Sequence, residues 1–255
     1  MADEARPVSA HINELRKRLT RAAIFVVIAT VLAFIFHEQI LRFMMGPASQ
    51  FEEIPNGKPV FTDMTEMIGT VMKVSLFTGI GLALPFIIFE IVQFASPGLT
   101  KQERKYLYIL LPAVILSFIT GVAFGYYVLL PPAISFLLTF GSDIAVPLIR
   151  IGSYLNLVVA LLFWLGVAFE TPIVMMFLAR IGVVTPEFLA SKRRIALVVA
   201  FVAGALITPT FDPINQTFVA VPLFVLYEIG IWLAKLGARA RRKSRTDAPV
   251  EAPPS

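Results

Sequence analysis

Three glutamates stand where a carboxylate would have an unusual environment. Glu170 lies almost midway along an apolar segment, where a charged side chain costs about 2.5–3.5 kcal/mol on insertion scales. It must therefore be protonated, hydrogen-bonded across helices to a Ser or Thr, or in contact with a water-filled cavity. Glu14, in HINELRKRL, and Glu103, in PGLTKQERKY, precede apolar segments among basic residues.

Two carboxylates on one surface could bind arginine, because the planar guanidinium matches a carboxylate with two parallel hydrogen bonds. An ordinary alternative is that Glu14 pairs with Arg18, four residues further along the same helix. Glu90, Lys73 and Glu228 lie nearer to the ends of their apolar segments. The expected role of these three is to anchor helices at the membrane interface.

The sequence excludes most enzymatic chemistry. It has no Cys and two His, so a thiolate metal site and a Cys nucleophile are absent. His11 and His37 lie at the ends of apolar segments, which argues against a Ser–His hydrolase. Neither GxxxxGK[ST] nor HExxH occurs. We therefore predict no catalytic residue, no metal, no cofactor and no nucleic-acid partner, and energy would come from the membrane potential or a partner.

The elements that carry these residues are membrane spans. Of the 255 residues 57% are hydrophobic and 15% charged, and the mean hydropathy is +0.80, whereas soluble domains carry about 25% charge. Segments near 20 apolar residues can cross a bilayer. Six segments qualify, although the last two are short or interrupted: 22–41, 71–94, 106–130, 157–181, 195–207 and 218–233.

Positive charge orients these segments. The N-terminal stretch, the loops after spans two and four, and the C-terminal tail hold five, three, three and six Lys or Arg, against two, one and none in the alternate loops. Because positive loops stay in the cytoplasm, both termini are expected inside. A version in which spans five and six re-enter the membrane keeps the termini inside as well. We predict one membrane domain over 1–236 and a basic, disordered tail over 237–255.

Small residues recur every fourth position on several spans. Span two carries Ser75, Gly79 and Ala83, and span five carries Ala196, Ala200, Gly204 and Thr208. Such stripes let helices approach closely. They serve either packing within the chain or, for span five above all, docking of a partner's helix.

Seven motifs follow one another along the chain: HINELRKRL, TDMTEMIGTVMKVSL, FASPGLTKQERKY, FGYYVLLPPAISFLLTF, GVAFETP, ITPTFDPINQ and VPLFVLYEIG. In this order they resemble the TatC family, the multispanning subunit of the twin-arginine (Sec-independent) protein translocase. The resemblance implies an all-α protein of the inner membrane with six spans in a bent, concave, glove-like arrangement. It also implies a multimeric complex with TatA-type and TatB-type single-span subunits, driven by the proton-motive force in a lipid bilayer.

The resemblance also assigns roles to residues. It makes Glu14 and Glu103 receptors for the consecutive arginines of signal peptides on folded cargo, and Glu170 the intramembrane polar site. The residues implied to shape the peptide loop are Phe94, Pro97, Gly98 and Leu99, those of partner-helix docking are Ala200, Gly204, Thr208 and Gln216, and further matching positions are Pro47, Thr65, Glu66, Lys73 and Tyr126. The turn Thr208-Pro209-Thr210-Phe211-Asp212 is one residue longer than the family's TPPD.

Two other classes of function remain open at this point. A proton-coupled secondary transporter would use Glu170 as its proton site, but it predicts inverted repeats and the sequence contains none. A structural membrane scaffold would hold its acids only by packing, so that removing the charges of Glu14 and Glu103 would leave activity intact.

Overall fold

The computed structural model describes residues 8–51, 54, 59–94, 101–145, 148–208 and 212–246. Its helices are α1 (Val8–Ile35), α2 (His37–Met45), a 3-10 turn (Gly46–Gln50), α3 (Glu66–Phe94), α4 (Lys101–Phe124), a π-helical turn (Gly125–Leu129), α5 (Leu130–Thr139), α6 (Ile151–Ile181), α7 (Pro186–Ser191), α8 (Arg193–Ile207) and α9 (Pro213–Thr246). Within these ranges, the β structure is one isolated parallel bridge between Val60 and Arg150. The all-α prediction is confirmed.

Within the described part of the chain, five stretches are long and apolar enough to cross a membrane. They are Ile12–Ile35, Glu66–Ile91, Leu111–Thr139, Ile151–Ile181 and Pro213–Arg241. The predicted span 195–207 is helical as well, but it forms α8, whose 15 residues cover only about 22 Å of a core about 30 Å thick. The sixth crossing therefore stays a prediction.

The first span ends earlier than the sequence pattern predicts. The apolar run suggested a span to residue 41, whereas α1 ends at Ile35 and α2 begins at His37. The reason is local polarity, since α2 opens with His37, Glu38 and Gln39 and buries only Leu41 and Met44. A short helix with one apolar side suits the interface of a membrane better than its core.

The C-terminal segment also differs from the expectation of a disordered tail. Helix α9 continues to Thr246, because residues 238–246 are mostly Ala, Arg and Lys, which favour helix. Gly237 allows α9 to pass close to α6, since a Cβ there would lie 2.5 Å from the Met176 carbonyl oxygen. Helix α9 thus extends into the segment for which the composition suggested disorder.

The chain divides into two compact units, where the sequence suggested one membrane domain. The first comprises Met1–Val167 with Ile207–Pro209, and the second comprises Ala168–Leu206 with Thr210–Ser255. The boundary falls inside α6, whose 31 residues are enough for its two halves to pack against different helices. In the first unit Gly166 of α6 faces Phe118 of α4.

In the first unit α1 and α3 pack as an antiparallel pair. Gly79 of α3 lies against Thr30 of α1, so closely that a Cβ at Gly79 would stand 2.5 Å from the Thr30 Cα. The rings of Phe25 and Phe86 stack with their centroids 3.8 Å apart. The small stripe of span two therefore serves packing within the chain, which is one of the two options that its spacing allowed.

Candidate functional site

A group of charged side chains, here termed the α1–α3 cluster, joins one end of α1 to one end of α3. Its members are Glu14, Arg18, Arg21, Glu90 and Gln93. Arg18 lies at its centre: Nη2 donates to Glu14 Oε1 at 2.5 Å, and Nη1 donates to Gln93 Oε1 at 2.8 Å and to the Glu90 carbonyl at 3.4 Å. One guanidinium thus bridges two helices.

Glu90 is the buried acid of the α1–α3 cluster, with 7% of its side chain exposed. Its Oε1 lies 3.0 Å from Arg21 Nη1, and its Oε2 lies 3.6 Å from Arg18 Nη1. Two guanidinium groups therefore compensate one carboxylate. Sequence reasoning treated Glu90 as an interfacial anchor. The available signal was that Arg18 and Arg21 share one face of a helix, three residues apart.

Glu14 presents a different environment from Glu90. About a third of its side chain (34%) is exposed, against 12% for Arg18, so solvent reaches the carboxylate while one oxygen binds a guanidinium. The i,i+4 pair considered from the sequence is confirmed. The geometry also demonstrates that this carboxylate accepts a guanidinium at charge-assisted hydrogen-bond distance.

The other residues predicted for the same site are only partly described. Phe94 is the last residue of α3 and is partly buried, and Glu103 lies in the first turn of α4, with its side chain outside the described part. The remaining three, Pro97, Gly98 and Leu99, lie outside the described residues. The pairing of Glu14 with Glu103 therefore stays a prediction.

Glu170, the predicted intramembrane acid, belongs to the second unit. It lies in α6 two residues before Pro172, and only 2% of the residue is exposed. Neighbouring Thr171 and Ala168 line an apolar groove of about 400 Å³ in the same unit. Glu170 is thus buried inside the apolar run in which the sequence placed it, and its role as the intramembrane polar site stays a prediction.

The groove beside Thr171, here termed the α8 groove, runs along one face of α8. Its other lining residues come from α8, α9 and the turn before α8: Lys192, Ile195, Ala196, Val199, Ala200, Ala203, Leu223 and Tyr227. Two members of the predicted small stripe, Ala196 and Ala200, line it. Small side chains on a concave apolar face leave room for another helix to approach.

The other predicted docking residues have contacts within the chain. Gly204 faces α9, where a Cβ would lie 2.8 Å from the carbonyl oxygen of Gln216. Gln216 donates from Nε2 to the Phe201 carbonyl at 2.8 Å. Thr208 is buried in the first unit. Gly204 and Gln216 thus join α8 to α9, the two helices that supply most of the residues lining the α8 groove.

Glu66 organises the opposite end of α3. Its carboxylate accepts hydrogen bonds from Thr62 N at 2.9 Å, from Gly152 N at 3.0 Å and from Arg150 Nη2 at 3.4 Å. Ile151 N donates to the Val60 carbonyl at 2.8 Å in the same region. The carboxylate therefore ties the segment before α3 to the start of α6.

Four further matching positions lie within the first unit. Tyr126, in the π-helical turn, donates to the Phe43 carbonyl at 2.8 Å, and Pro47 is buried in the 3-10 turn. Lys73 donates from Nζ to Asn156 Oδ1 at 2.9 Å, linking α3 to α6. Thr65 donates from its N–H and its hydroxyl to Asp63 Oδ1, both at 2.8 Å. These contacts give each residue a structural task.

Comparison with known proteins identifies the family. The family model described as Sec-independent protein translocase protein (TatC) matches residues 10–222 of the chain. The chain belongs to the TatC family. All the site residues predicted from the sequence lie inside the matched range, and the TatC relationship favours a translocase subunit over the proton-coupled transporter.

Individual TatC proteins agree over nearly the whole chain. The Sec-independent protein translocase protein TatC of Carboxydothermus hydrogenoformans is 35% identical over 92% of this chain and 95% of its own length. That of Desulforapulum autotrophicum is 38% identical over 98% and 90%. A crystal structure described as the twin arginine translocase receptor TatC has a TM-score of 0.79 and 37% identity, covering 90% of this chain and all of the other.

Proposed function

We propose that this TatC-family subunit is the receptor that binds twin-arginine signal peptides of folded cargo through Glu14 and Glu103. The observation that carries the proposal is the 2.5 Å contact between the Glu14 carboxylate and a guanidinium. The partly exposed position of Glu14 supports it, because a peptide side chain can reach the carboxylate from water. The receptor description of the similar crystal structure agrees with this assignment.

The proposed chemistry is recognition without a covalent step. Each arginine offers a planar fork of N–H donors to a carboxylate, whereas the compact lysine ammonium lacks that geometry. Two carboxylates at the same surface would bind two consecutive arginines, one each. Phe94 at the end of α3, with residues 97–99, would shape the loop that carries the peptide.

The proposed setting is the inner membrane, with both termini and the Glu14 surface in the cytoplasm. The Lys and Arg distribution supports this orientation. Transport would draw on the proton-motive force. Glu170 is the proposed intramembrane polar site, positioned in α6 and removed from water.

The proposed partners are small single-span subunits of the TatA and TatB types, in a multimeric complex. The α8 groove supports this, because Ala196 and Ala200 of the 15-residue helix α8 line an apolar groove with a volume of about 400 Å³. A partner helix that packs there would contact small residues. Gly204 and Gln216 keep α8 and α9 in contact with each other.

Binding of a labelled signal peptide tests the receptor assignment. We expect Glu14→Gln and Glu103→Gln each to weaken binding of an Arg-Arg peptide to the full chain in nanodiscs by about tenfold or more, since each removes a charge-assisted hydrogen bond. Glu187→Gln, which removes an exposed acid from the first turn of α7, is the matched control and should bind normally. Unchanged binding by both site variants would refute the assignment.

A further inference from the structure

Arg18 occupies the position that the proposed function gives to an arginine of the signal peptide. Its Nη2 lies 2.5 Å from Glu14 Oε1, and only 12% of its side chain is exposed. The chain therefore already contains a guanidinium on the carboxylate that is meant to receive one from outside. A signal arginine and Arg18 would compete for the same carboxylate.

Arg18 has a second set of acceptors, and they lie on another helix. Its Nη1 donates to Gln93 Oε1 at 2.8 Å and to the Glu90 carbonyl at 3.4 Å, and it lies 3.6 Å from Glu90 Oε2. These groups belong to α3, whereas Glu14 belongs to α1. If another guanidinium took Glu14, Arg18 would keep its partners on α3 and would not be left as an uncompensated charge.

We infer that Arg18 is an internal competitor that lowers the affinity of Glu14 for every incoming cation, so that only a ligand with full guanidinium geometry binds tightly enough to displace it. The inference rests on the proposed receptor function. In the resting protein Arg18 holds Glu14, and an incoming arginine displaces it toward Glu90 and Gln93. Binding is an exchange of one guanidinium for another, so that the number of ion pairs at Glu14 stays the same.

The exchange explains why a weaker cation would fail. A lysine ammonium must displace a guanidinium that binds the carboxylate at charge-assisted distance, but it offers no planar fork in return. Without the competitor, Glu14 would still attract any positive charge. Arg18 thus reduces the affinity for every cation by the same factor, and a cation that binds weakly through poorer geometry then fails to bind at all.

Two substitutions of Arg18 test the exchange on the full chain in nanodiscs. Fluorescence anisotropy would measure binding of an Arg-Arg signal peptide and of the same peptide with Lys-Lys. We expect Arg18→Gln to raise the affinity for the Arg-Arg peptide and for the Lys-Lys peptide by the same factor, about tenfold. Arg18→Lys keeps the positive charge and should also raise both affinities.

Arg16→Gln is the matched control, because it removes one positive charge from an exposed residue two positions away. Equal increases in peptide affinity in Arg16→Gln and Arg18→Gln would overturn the inference, because the effect would then come from the overall positive charge. Unchanged or weaker binding by Arg18→Lys would overturn it as well, since Arg18 would then orient Glu14 or leave it unaffected.

The Glu14→Gln background separates this inference from the proposed function. In that background we expect Arg18→Gln to produce no further increase in peptide affinity, because residue 14 no longer carries the carboxylate for which Arg18 competes. If Glu14→Gln alone leaves binding intact, the receptor assignment fails at Glu14. If Glu14→Gln weakens binding but neither Arg18 variant strengthens it, only the competitor role fails.

Discussion

At the scale of single residues, Glu90 shows how an apolar helix accommodates a carboxylate. Removing a charge from water is costly unless the charge is paired and hydrogen-bonded. Glu90 meets this condition with Arg21 at 3.0 Å and Arg18 at 3.6 Å. The same two arginines face one acid from one helix face, so the α1–α3 cluster has one more guanidinium than Glu90 requires. That surplus lets Arg18 contact Glu14.

Asp63 gives a pH-dependent prediction at this scale. The hydrogen bond from the Thr65 N–H, followed by that from its hydroxyl, lowers the pKa of Asp63 below the ordinary value of 3.8. A lowered pKa contributes stability that is present above the unfolded value and is lost as the pH falls through the folded one. We therefore expect the first turn of α3 to open in this acid range.

Hydrogen–deuterium exchange at Thr65, corrected for intrinsic rates, measures that opening. Protection should decrease as the pH drops below about 3.8 in the unmodified chain, while Asp63→Asn should lack the step. An identical step in Asp63→Asn would assign the change to another group.

The candidate site was predictable only in part. Its position inside an apolar run indicated Glu170 from the sequence alone, whereas Glu14 looked ordinary in its basic surroundings and received its role from the family resemblance. Glu90 was not recognised, since its two partners lie 69 and 72 positions away on another helix. Only the packing of α1 on α3 brings these residues together.

At the scale of helices, the close approach of α1 to α3 positions the α1–α3 cluster. Gly79 and the stacked rings of Phe25 and Phe86 lie along the same pair. Between lipid-exposed helices there is little hydrophobic drive, so association depends on van der Waals packing. The register that brings Arg18 to Glu90 therefore depends on a small residue at Gly79.

A methyl group at Gly79 should loosen the pair. The added Cβ would meet the Thr30 backbone, and such overpacking costs about 1–3 kcal/mol of unfolding free energy. We expect Gly79→Ala to lower the stability of the full chain in a detergent unfolding titration. Gly69→Ala is the control, because nothing lies within 4 Å of its Cβ position and Ala favours helix. Equal losses of unfolding free energy in Gly79→Ala and Gly69→Ala would contradict a packing role for Gly79.

Helix existence was easier to predict than helix ends. Long apolar runs predicted five membrane-capable helices correctly, since burying or embedding that many apolar residues leaves few alternatives. The break at Phe36 was missed because Ile40 and Leu41 resume the apolar pattern after three polar residues. The contact of α9 with Met176 at Gly237 was not predicted, because it joins positions about 60 residues apart.

At the scale of the whole molecule, Lys and Arg are concentrated in every second segment between the apolar helices. Basic residues follow α3, precede α8 and end α9, and they are few between α5 and α6. The positive-inside rule makes this distribution an orientation signal. It supports cytoplasmic termini whether α8 and the start of α9 cross the bilayer or re-enter from one side, so charge alone does not decide the number of spans.

The side of the membrane on which α9 begins decides the number of spans. Because the chain contains no Cys, single cysteines report accessibility without background. We expect Pro213→Cys, at the start of α9, to react in intact cells with a maleimide that cannot cross the inner membrane, as a six-span protein requires. Ser142→Cys, between α5 and α6, is the outer control and Ser191→Cys, at the end of α7, is the inner one. Failure of position 213 to react before permeabilisation, while position 142 reacts, would contradict the six-span arrangement and support the re-entrant one, because a 15-residue α8 would then turn back inside the bilayer.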